Sequence, residues 1–488
     1  MVDQVDKILS ELEFDFDALR QRYDAERRRR VREDGENQYI EVVGDFAAFD
    51  PSLKEDPVVE RSPFEEDCDV LVIGGGFAGM QTAVRLLEEG IENFRLVDTA
   101  GDFGGTWYWN RYPGAQCDIE SYCYLPLLEE TGFIPKEKYS YAPEIFEHCQ
   151  RIAVHFQLYE KALFNTRVTD VYWDERSTRW VVTTQVGDVL KPRFLVQASG
   201  PVNRPKLPAI PGIREFKGHM FHTSRWDYSY TGGDHTGNLS GLRDKRVAVI
   251  GTGATAIQAV PYLAADAERL YVFQRTPSSV DLRRNAPTDP DWARSLKPGW
   301  QRARRENFND VVTGKPFEVD LVADGWTDIF RNLKSTLPLG VKRDGDPEVE
   351  ELLAEVADFR KMNEIRGRVD STVKDPETAE KLKPWYRQFC KRPCFNDEYL
   401  EAFNRENVTL IDVSETKGVE RITEEGIFTG GKLYPVDCII FATGFEISTA
   451  PKRRVSFDIR GRGGRSLFEH WNDGLRTLHG YSAHGFPN

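Results

Sequence analysis

The stretch that decides the fold is Cys68-Asp-Val-Leu-Val-Ile-Gly-Gly-Gly-Phe-Ala-Gly-Met-Gln-Thr-Ala-Val-Arg-Leu-Leu-Glu-Glu-Gly90. Its first six residues form a short apolar run rich in β-branched side chains, which reads as a buried strand. Gly74-x-Gly76-x-x-Gly79 follows, and then an amphipathic helix. The first glycine permits the tight turn, the second lets the backbone approach a pyrophosphate, and the third lets helix and strand pack closely. A second strand follows at FRLVDTA (94–100). Strand, glycine turn, helix and strand make a dinucleotide-binding unit of parallel α/β type, with Phe77 and Ala78 at the helix start as further ligands.

Working outward, the same pattern recurs at KRVAVIGTGATAIQAVPYLAADA (245–267) followed by RLYVFQRTP (269–277). Here the motif is Gly251-x-Gly253-x-x-Ala256, with Thr252, Ala254 and Thr255 on the turn. One residue distinguishes the two units. Asp98 lies 24 residues after Gly74, and Arg275 lies the same 24 residues after Gly251. A carboxylate at the end of the second strand accepts from a ribose hydroxyl and repels a 2′-phosphate, whereas an arginine fork pairs with that phosphate. The first site is therefore read as holding FAD or NAD, and the second NADPH, with Thr276 adding a hydroxyl. One chain carrying both implies electron transfer from NADPH to a flavin.

Between the units, VVTTQVGDVLKPRFLVQASG (181–200) reads as antiparallel strands, and Pro201, Pro205, Pro208 and Pro211 mark a stiff linker. Residues 1–35 read as a helix, on the spacing of Ile8, Leu12, Leu19 and Tyr23, ending in the run Glu26-Arg-Arg-Arg-Arg30, which is taken as a solvated face. Residues 36–65 read as a connecting arm, and 283–388, without strand alternation, as a helical insertion. VDCIIFATGFE (436–446) reads as a buried strand and glycine turn. The expected organisation is an α/β chain of two Rossmann-like domains, for FAD and NADPH, with a helical insertion and an N-terminal helical extension. The divisions are 1–62 (extension), 63–200 (FAD domain, first part), 201–282 (NADP domain, first part), 283–388 (insertion), 389–436 (NADP domain, second part) and 437–488 (FAD domain, second part).

Composition sets bounds on the partners. A formal net charge of −14 and a 30% share of charged residues suit a soluble acidic protein and speak against nucleic-acid binding. No run reaches the ~20 apolar residues of a membrane span, and the N-terminus lacks a secretory signal, so the cytoplasm and a monomer are expected. The seven cysteines are too scattered for a disulfide framework, and Cys390 and Cys394 have no second ligand pair at zinc spacing, so no metal is expected. Cys117 and Cys123 do not form the CxxC of a disulfide reductase.

Three segments name a family. Phe216-x-Gly218-x-x-x-His222-x-x-x-Trp226-Asp227 lies between the glycine motifs. Gly104-Gly105-Thr106-Trp107-Tyr108-Trp109-Asn110-Arg111-Tyr112-Pro113-Gly114-Ala115-Gln116-Cys117-Asp118 is dense in glycine and aromatics, as a loop wrapping a flat ring would be. Lys391-Arg392-Pro393 precedes FNRENV (403–408). Together they resemble the type I Baeyer–Villiger monooxygenases, over roughly residues 65–488, while residues 1–60 resemble the extension of members that accept bulky ketones. The resemblance implies that NADPH reduces FAD, that dioxygen adds to give a C4a-peroxyflavin, and that a bulky or cyclic ketone becomes an ester or lactone. It makes Arg392 the catalytic arginine, held by Asp118, and makes Lys391 a ligand of the NADP 2′-phosphate. Gly105, Thr106, Trp107, Asp118 and Tyr124 fall to the flavin, and His222 to linkage and cofactor positioning. A guanidinium fits the task, because it cannot lose its proton beside developing negative charge.

Two alternatives stay open: oxidation of a nitrogen or sulfur atom, and a non-catalytic fragment. The sequence stops at HGYSAHGFPN (479–488). There the family continues into a further strand, turn and helix that help close the FAD site. The expectation is that this chain binds FAD poorly unless another segment supplies that piece.

Overall fold

The structure is a computed structural model and describes residues 9–10, 12–49, 61–334, 346–447 and 449–487. Two parallel cores organise it. In the first, the strand Glu65–Ile73 lies between Val189–Gln197 and Phe94–Val97, all parallel, and Ala162–Leu163 extends the far edge. An antiparallel meander, Val168–Asp174 to Arg179–Thr184 to Val189–Gln197, continues the sheet, and Ile459–Arg460 closes it at the other edge. Leu71 and Val72 are wholly buried, as expected of a strand covered on both faces.

The second sheet is five-stranded and all parallel, in the order Val408–Asp412, Arg269–Gln274, Arg246–Ile250, Cys438–Phe441, His219–His222. This corrects the expected boundary at 436/437. The strand Cys438–Phe441 pairs with the second glycine strand, not with the first. The reason lies in a close approach that both units share. A Cβ on Gly74 would meet the Ala198 carbonyl oxygen at 2.5 Å, and one on Gly251 would meet that of Ala442, also at 2.5 Å. Ala198-Ser-Gly200 and Ala442-Thr-Gly444 thus end equivalent neighbour strands, and the glycines, at φ +117° and +111°, take a conformation that side chains disfavour. The chain returns to the first sheet only near Phe457 and Ile459, which join its core.

The insertion is helical as expected, with Trp300–Thr313, Gly325–Lys334 and Pro347–Thr372 the longest pieces. Its entry and exit are tied by a short parallel pair, Val280–Asp281 with Cys394–Phe395. Arg368 reinforces the tie by donating to the carbonyls of Val280 and Asn396, both at 2.8 Å. The antiparallel meander Arg421–Thr423, Gly426–Thr429, Lys432–Pro435 was not legible as strands.

The single helix expected over 1–35 is broken: residues 9–10 are helical, 12–15 are not, and the main helix begins only after them. It runs Phe16–Arg30, starts where the Asp15 carboxylate accepts from Ala18 N, and ends at an extended Val31. Leu12 precedes it, and Ile8 lies outside the described residues. Phe16 and Tyr23 pack on Phe359 of the insertion at ring distances of 5.2 and 4.9 Å. The arm then adds Tyr39–Ile40 antiparallel to Leu207–Pro208 in the proline-rich linker. Pro51 and Pro57 lie outside the described residues.

Candidate active site

Beside the first glycine turn lies a cavity of about 300 Å³. Gly74, Gly76, Phe77, Ala78, Asp98, Gly105, Thr106, Trp107 and Tyr124, read from the sequence as flavin ligands, all line it. Gly79 does not, because its role is packing: a Cβ there would sit 1.9 Å from the Gly74 carbonyl oxygen. The helix Phe77–Glu88 begins with Gly76 as its cap and no side chain accepting its first N–H groups. Those donors, with the positive end of the helix dipole, suit a pyrophosphate. The backbones of Gly76 and Gly105 face each other so closely that a Cβ on Gly105 would lie 2.7 Å from Gly76 Cα. Asp98 accepts from the backbone N–H of Gly75 and, at 2.8 Å, of Ala100. Burial raises its pKa, with those donors opposing. Thr99 donates to it as well, and the carboxylate, on the cavity wall, is the acceptor that a ribose hydroxyl there would meet. Trp107 donates to the Tyr124 hydroxyl at 3.0 Å, and Phe77 packs on the Tyr124 ring. The residues present fit a flavin dinucleotide.

The second turn is built alike. The helix Ala254–Asp266 starts at Gly253 with no side-chain cap, and a Cβ on Gly253 would meet nothing within 4 Å. Thr252 Oγ1 donates to the Thr276 carbonyl at 2.9 Å, so it shapes the turn. Thr255 lies beside the Tyr112 hydroxyl. Lys391 Nζ reaches the carbonyls of Thr276 at 3.0 Å and Pro277 at 3.3 Å, which brings it to the loop directly after Arg275. Burial pushes the Lys391 ammonium down to about 8.

Between the two lies the pair that the resemblance singled out. Arg392 donates to one oxygen of Asp118 through Nη2 at 2.6 Å and Nε at 3.1 Å. The residues are 274 positions apart. Burial opposes the Arg392 charge, yet Asp118 more than offsets it and raises the guanidinium's pKa. The side chain is nonetheless 57% exposed, so it can touch a bound molecule. Arg392 is placed by the short Cys394–Phe395 pairing. Asp118 is placed by a loop stitched to the second unit, where Gln258 donates to the Gln116 carbonyl at 2.9 Å and accepts from Tyr112 at 2.7 Å. Gly114 approaches that helix so closely that a Cβ would meet Tyr262 at 2.3 Å.

The fingerprint 216–227 is structural in its contacts. His222 ends the edge strand fully buried, with Ser224 on Nδ1 at 2.8 Å, and burial lowers its pKa to about 3, so it stays neutral. Gly218 passes the Asp437 carbonyl oxygen where a Cβ would stand 2.5 Å away. Arg225 lies 4.0 Å over the Trp109 ring, joining the fingerprint to the aromatic loop.

Sequence reasoning missed several residues. Arg167, Arg204 and Arg454 also line the first cavity. They sit outside every motif, so no local signal could have found them. Glu120, two residues past Asp118, is wholly buried and pairs with Arg304 of the insertion. Burial pushes its carboxyl up to about 7 while Arg304 pulls it down. Among the described residues no group of His, Cys, Asp and Glu could hold a metal ion, and no two cysteines are bonded. No described helix is long and apolar enough to cross a membrane.

Two dinucleotide turns, one ending in a carboxylate and one in an arginine, with an exposed arginine between them, define a flavin- and pyridine-nucleotide-dependent oxidoreductase. Residues 68–285 match the pyridine nucleotide-disulphide oxidoreductase family. The chain is 52% identical over 481 residues to the Baeyer–Villiger monooxygenase ATR8 of Stachybotrys chlorohalonatus, covering 98% of this chain and 76% of that protein. The polycyclic ketone monooxygenase of the thermophilic fungus Thermothelomyces thermophila superposes with a TM-score of 0.86 at 42% identity, covering 96% of this chain and 79% of that one. An oxidised steroid monooxygenase bound to NADP superposes at 0.71 with 33% identity, covering 86% and 79%. The chain belongs to the Baeyer–Villiger monooxygenase family, whose cofactors are FAD and NADPH.

Proposed function

We propose that the chain inserts one oxygen atom of dioxygen beside the carbonyl of a bulky or cyclic ketone, giving an ester or lactone, with Arg392 as the catalytic residue. The observation that carries this assignment is the Arg392–Asp118 contact, with the guanidinium still exposed on its outer side. When bound, FAD supplies the activation of dioxygen after reduction by NADPH. The rest falls to the chain. The N–H groups at Phe77 and Ala78 would hold the flavin's pyrophosphate, and Asp98 would accept from its ribose. Arg275, Thr276 and Lys391 would hold the 2′-phosphate of NADPH. Trp107 and Tyr124 cover the cavity wall and exclude water, which strengthens each charge inside. Arg392 keeps its proton and stabilises the negative charge that develops on oxygen during insertion. Asp118 fixes its direction.

The expected division stands as our reading at 62/63, 200/201, 282/283 and 388/389, with the last boundary moved beyond Gly444. The chain is further read as a cytoplasmic monomer. Seven unpaired thiols support a reducing compartment, and the net charge of −14 disfavours self-association. Light scattering on the purified chain tests the monomer. The activity is tested by NADPH consumption with a panel of cyclic ketones and one thioether, followed by product identification. Lactone from ketone supports the reading, and sulfoxide alone overturns it.

A further inference from the structure

The arginine run 27–30, which reads from sequence as a solvated face, does not behave uniformly in the fold. Arg27 and Arg28 are exposed. Arg29 is spent on Asp412 at 3.5 Å and Glu415 at 2.8 Å. Arg30 turns inward, half-buried, and lies 5.1 Å over the ring of Tyr386. Tyr386 is itself fastened to the loop after Arg275, because its hydroxyl donates to the Pro277 carbonyl at 2.8 Å and accepts from Ser279 N at 2.9 Å. Lys391 holds the same loop. From the arm, Gln38 Oε1 accepts from Arg275 Nη1 at 2.8 Å, and Gln38 Nε2 is anchored on the Gly35 carbonyl at 2.7 Å.

Arg30, Arg275 and Lys391 are thus gathered around residues 275–279. None of the three has a carboxylate in ion-pair distance among the described residues. Asp34, whose carboxyl is held low by its hydrogen bond from Arg32 and, less, by the charge of Arg275, is engaged by Arg32. Arg30 and Arg275 both repel the Lys391 ammonium, and Glu26 and Asp34 balance them only from beyond ion-pair distance, so an anion such as a phosphate would relieve this half-buried site. The repulsion registers on Lys391, whose proton Arg275 and Arg30 both help to loosen.

We propose that the N-terminal arm completes the 2′-phosphate pocket of NADPH, with Arg30 as a third cation and Gln38 as a positioning residue that aims Arg275. The helix Phe16–Arg30 and the strand Tyr39–Ile40, docked on the insertion and on the linker, hold these two side chains in place. The arm is then a determinant of coenzyme choice. This rests on the reading that Arg275 receives the 2′-phosphate.

The test is calorimetric binding of NADP⁺, NAD⁺ and adenosine 2′,5′-bisphosphate to the full chain and to the variants Arg275→Ala, Arg30→Gln, Arg30→Lys and Gln38→Leu. Loss of one charge-assisted contact should weaken NADP⁺ and the bisphosphate about tenfold or more in Arg30→Gln. NAD⁺ should be unchanged, and Arg30→Lys should recover most of the loss. Gln38→Leu should lower the NADP⁺ preference less. If Arg275→Ala weakens NADP⁺ selectively while Arg30→Gln does not, the role of the arm is refuted and the pocket stands. If Arg30→Gln weakens NAD⁺ and NADP⁺ equally, Arg30 is only structural and the proposal fails. If Arg275→Ala has no selective effect, the underlying reading of the pocket fails with it.

Discussion

Replacing Asp118 by alanine should cut turnover without unfolding the protein. The pair it forms with Arg392 is two-pronged, at 2.6 and 3.1 Å, but the arginine is 57% exposed and the aspartate 18% exposed. Solvent screening then limits its worth to stability to about 1 kcal/mol or less, so the melting temperature should barely move. The effect on catalysis is larger. A released arginine regains up to ~2 kcal/mol of rotamer entropy, which must be lost again each time it meets the reacting oxygen. That corresponds to a fall in kcat of roughly 10- to 30-fold, and misdirection of the guanidinium could extend it toward ~100-fold. Asp118→Asn keeps an acceptor without the charge and should fall between. The assay is ketone-dependent product formation beside NADPH consumption, with flavin content and melting temperature measured on the same samples. Loss of product with unchanged flavin and melting temperature is the expected result. Turnover within about threefold of the parent, or a loss matched by flavin release, would refute the argument that Asp118 acts by aiming Arg392.

Four further outcomes follow from the same contacts. Burial, aided by the charges of Arg275 and Arg30 and opposed by Cys394, pushes the Lys391 ammonium down to about 8 from 10.5. NADP⁺ affinity, measured by titration, should therefore weaken as pH rises through about 8 while NAD⁺ affinity stays level, and Lys391→Arg should abolish the slope. In the cofactor-free chain the sign is opposite: the Lys391 contribution to folding is present above 10.5 and is lost as pH falls through about 8. Gly79→Ala and Gly253→Ala should separate packing from binding. The first places a Cβ 1.9 Å from a carbonyl oxygen and should cost about 1–3 kcal/mol in thermal unfolding, with loss of flavin. The second enters open space, so it should leave the melting temperature alone and weaken NADP⁺ binding. Glu355 is buried between Arg20 and Arg387, and despite its burial the two arginines lower its pKa. Its contribution is held above the ordinary carboxylate range and lost as pH falls below it, and Glu355→Ala should make the arm more sensitive to limited proteolysis; an unchanged cleavage rate would count against it.

The local pattern determined more of this protein than its length suggests. Both glycine turns, their helices and the residues Asp98 and Arg275 were legible because a dinucleotide turn is built from neighbours in sequence, and its steric demands fall on glycine at set spacing. The helical insertion was legible from its lack of strand alternation. Pairing across long distances was not legible. The run Cys438–Phe441 reads as a buried strand whichever sheet receives it, and only the close passage of Gly251 beneath Ala442 assigns it to the second. The arginines Arg167, Arg204 and Arg454 carry no motif, so only folding reveals the cavity they share. The arginine run at 27–30 shows the limit most plainly. Four identical side chains in a row are indistinguishable to composition and periodicity. Helix rotation and docking decided that two face water, one pairs with acids, and Arg30 lies over Tyr386 beside the second dinucleotide turn.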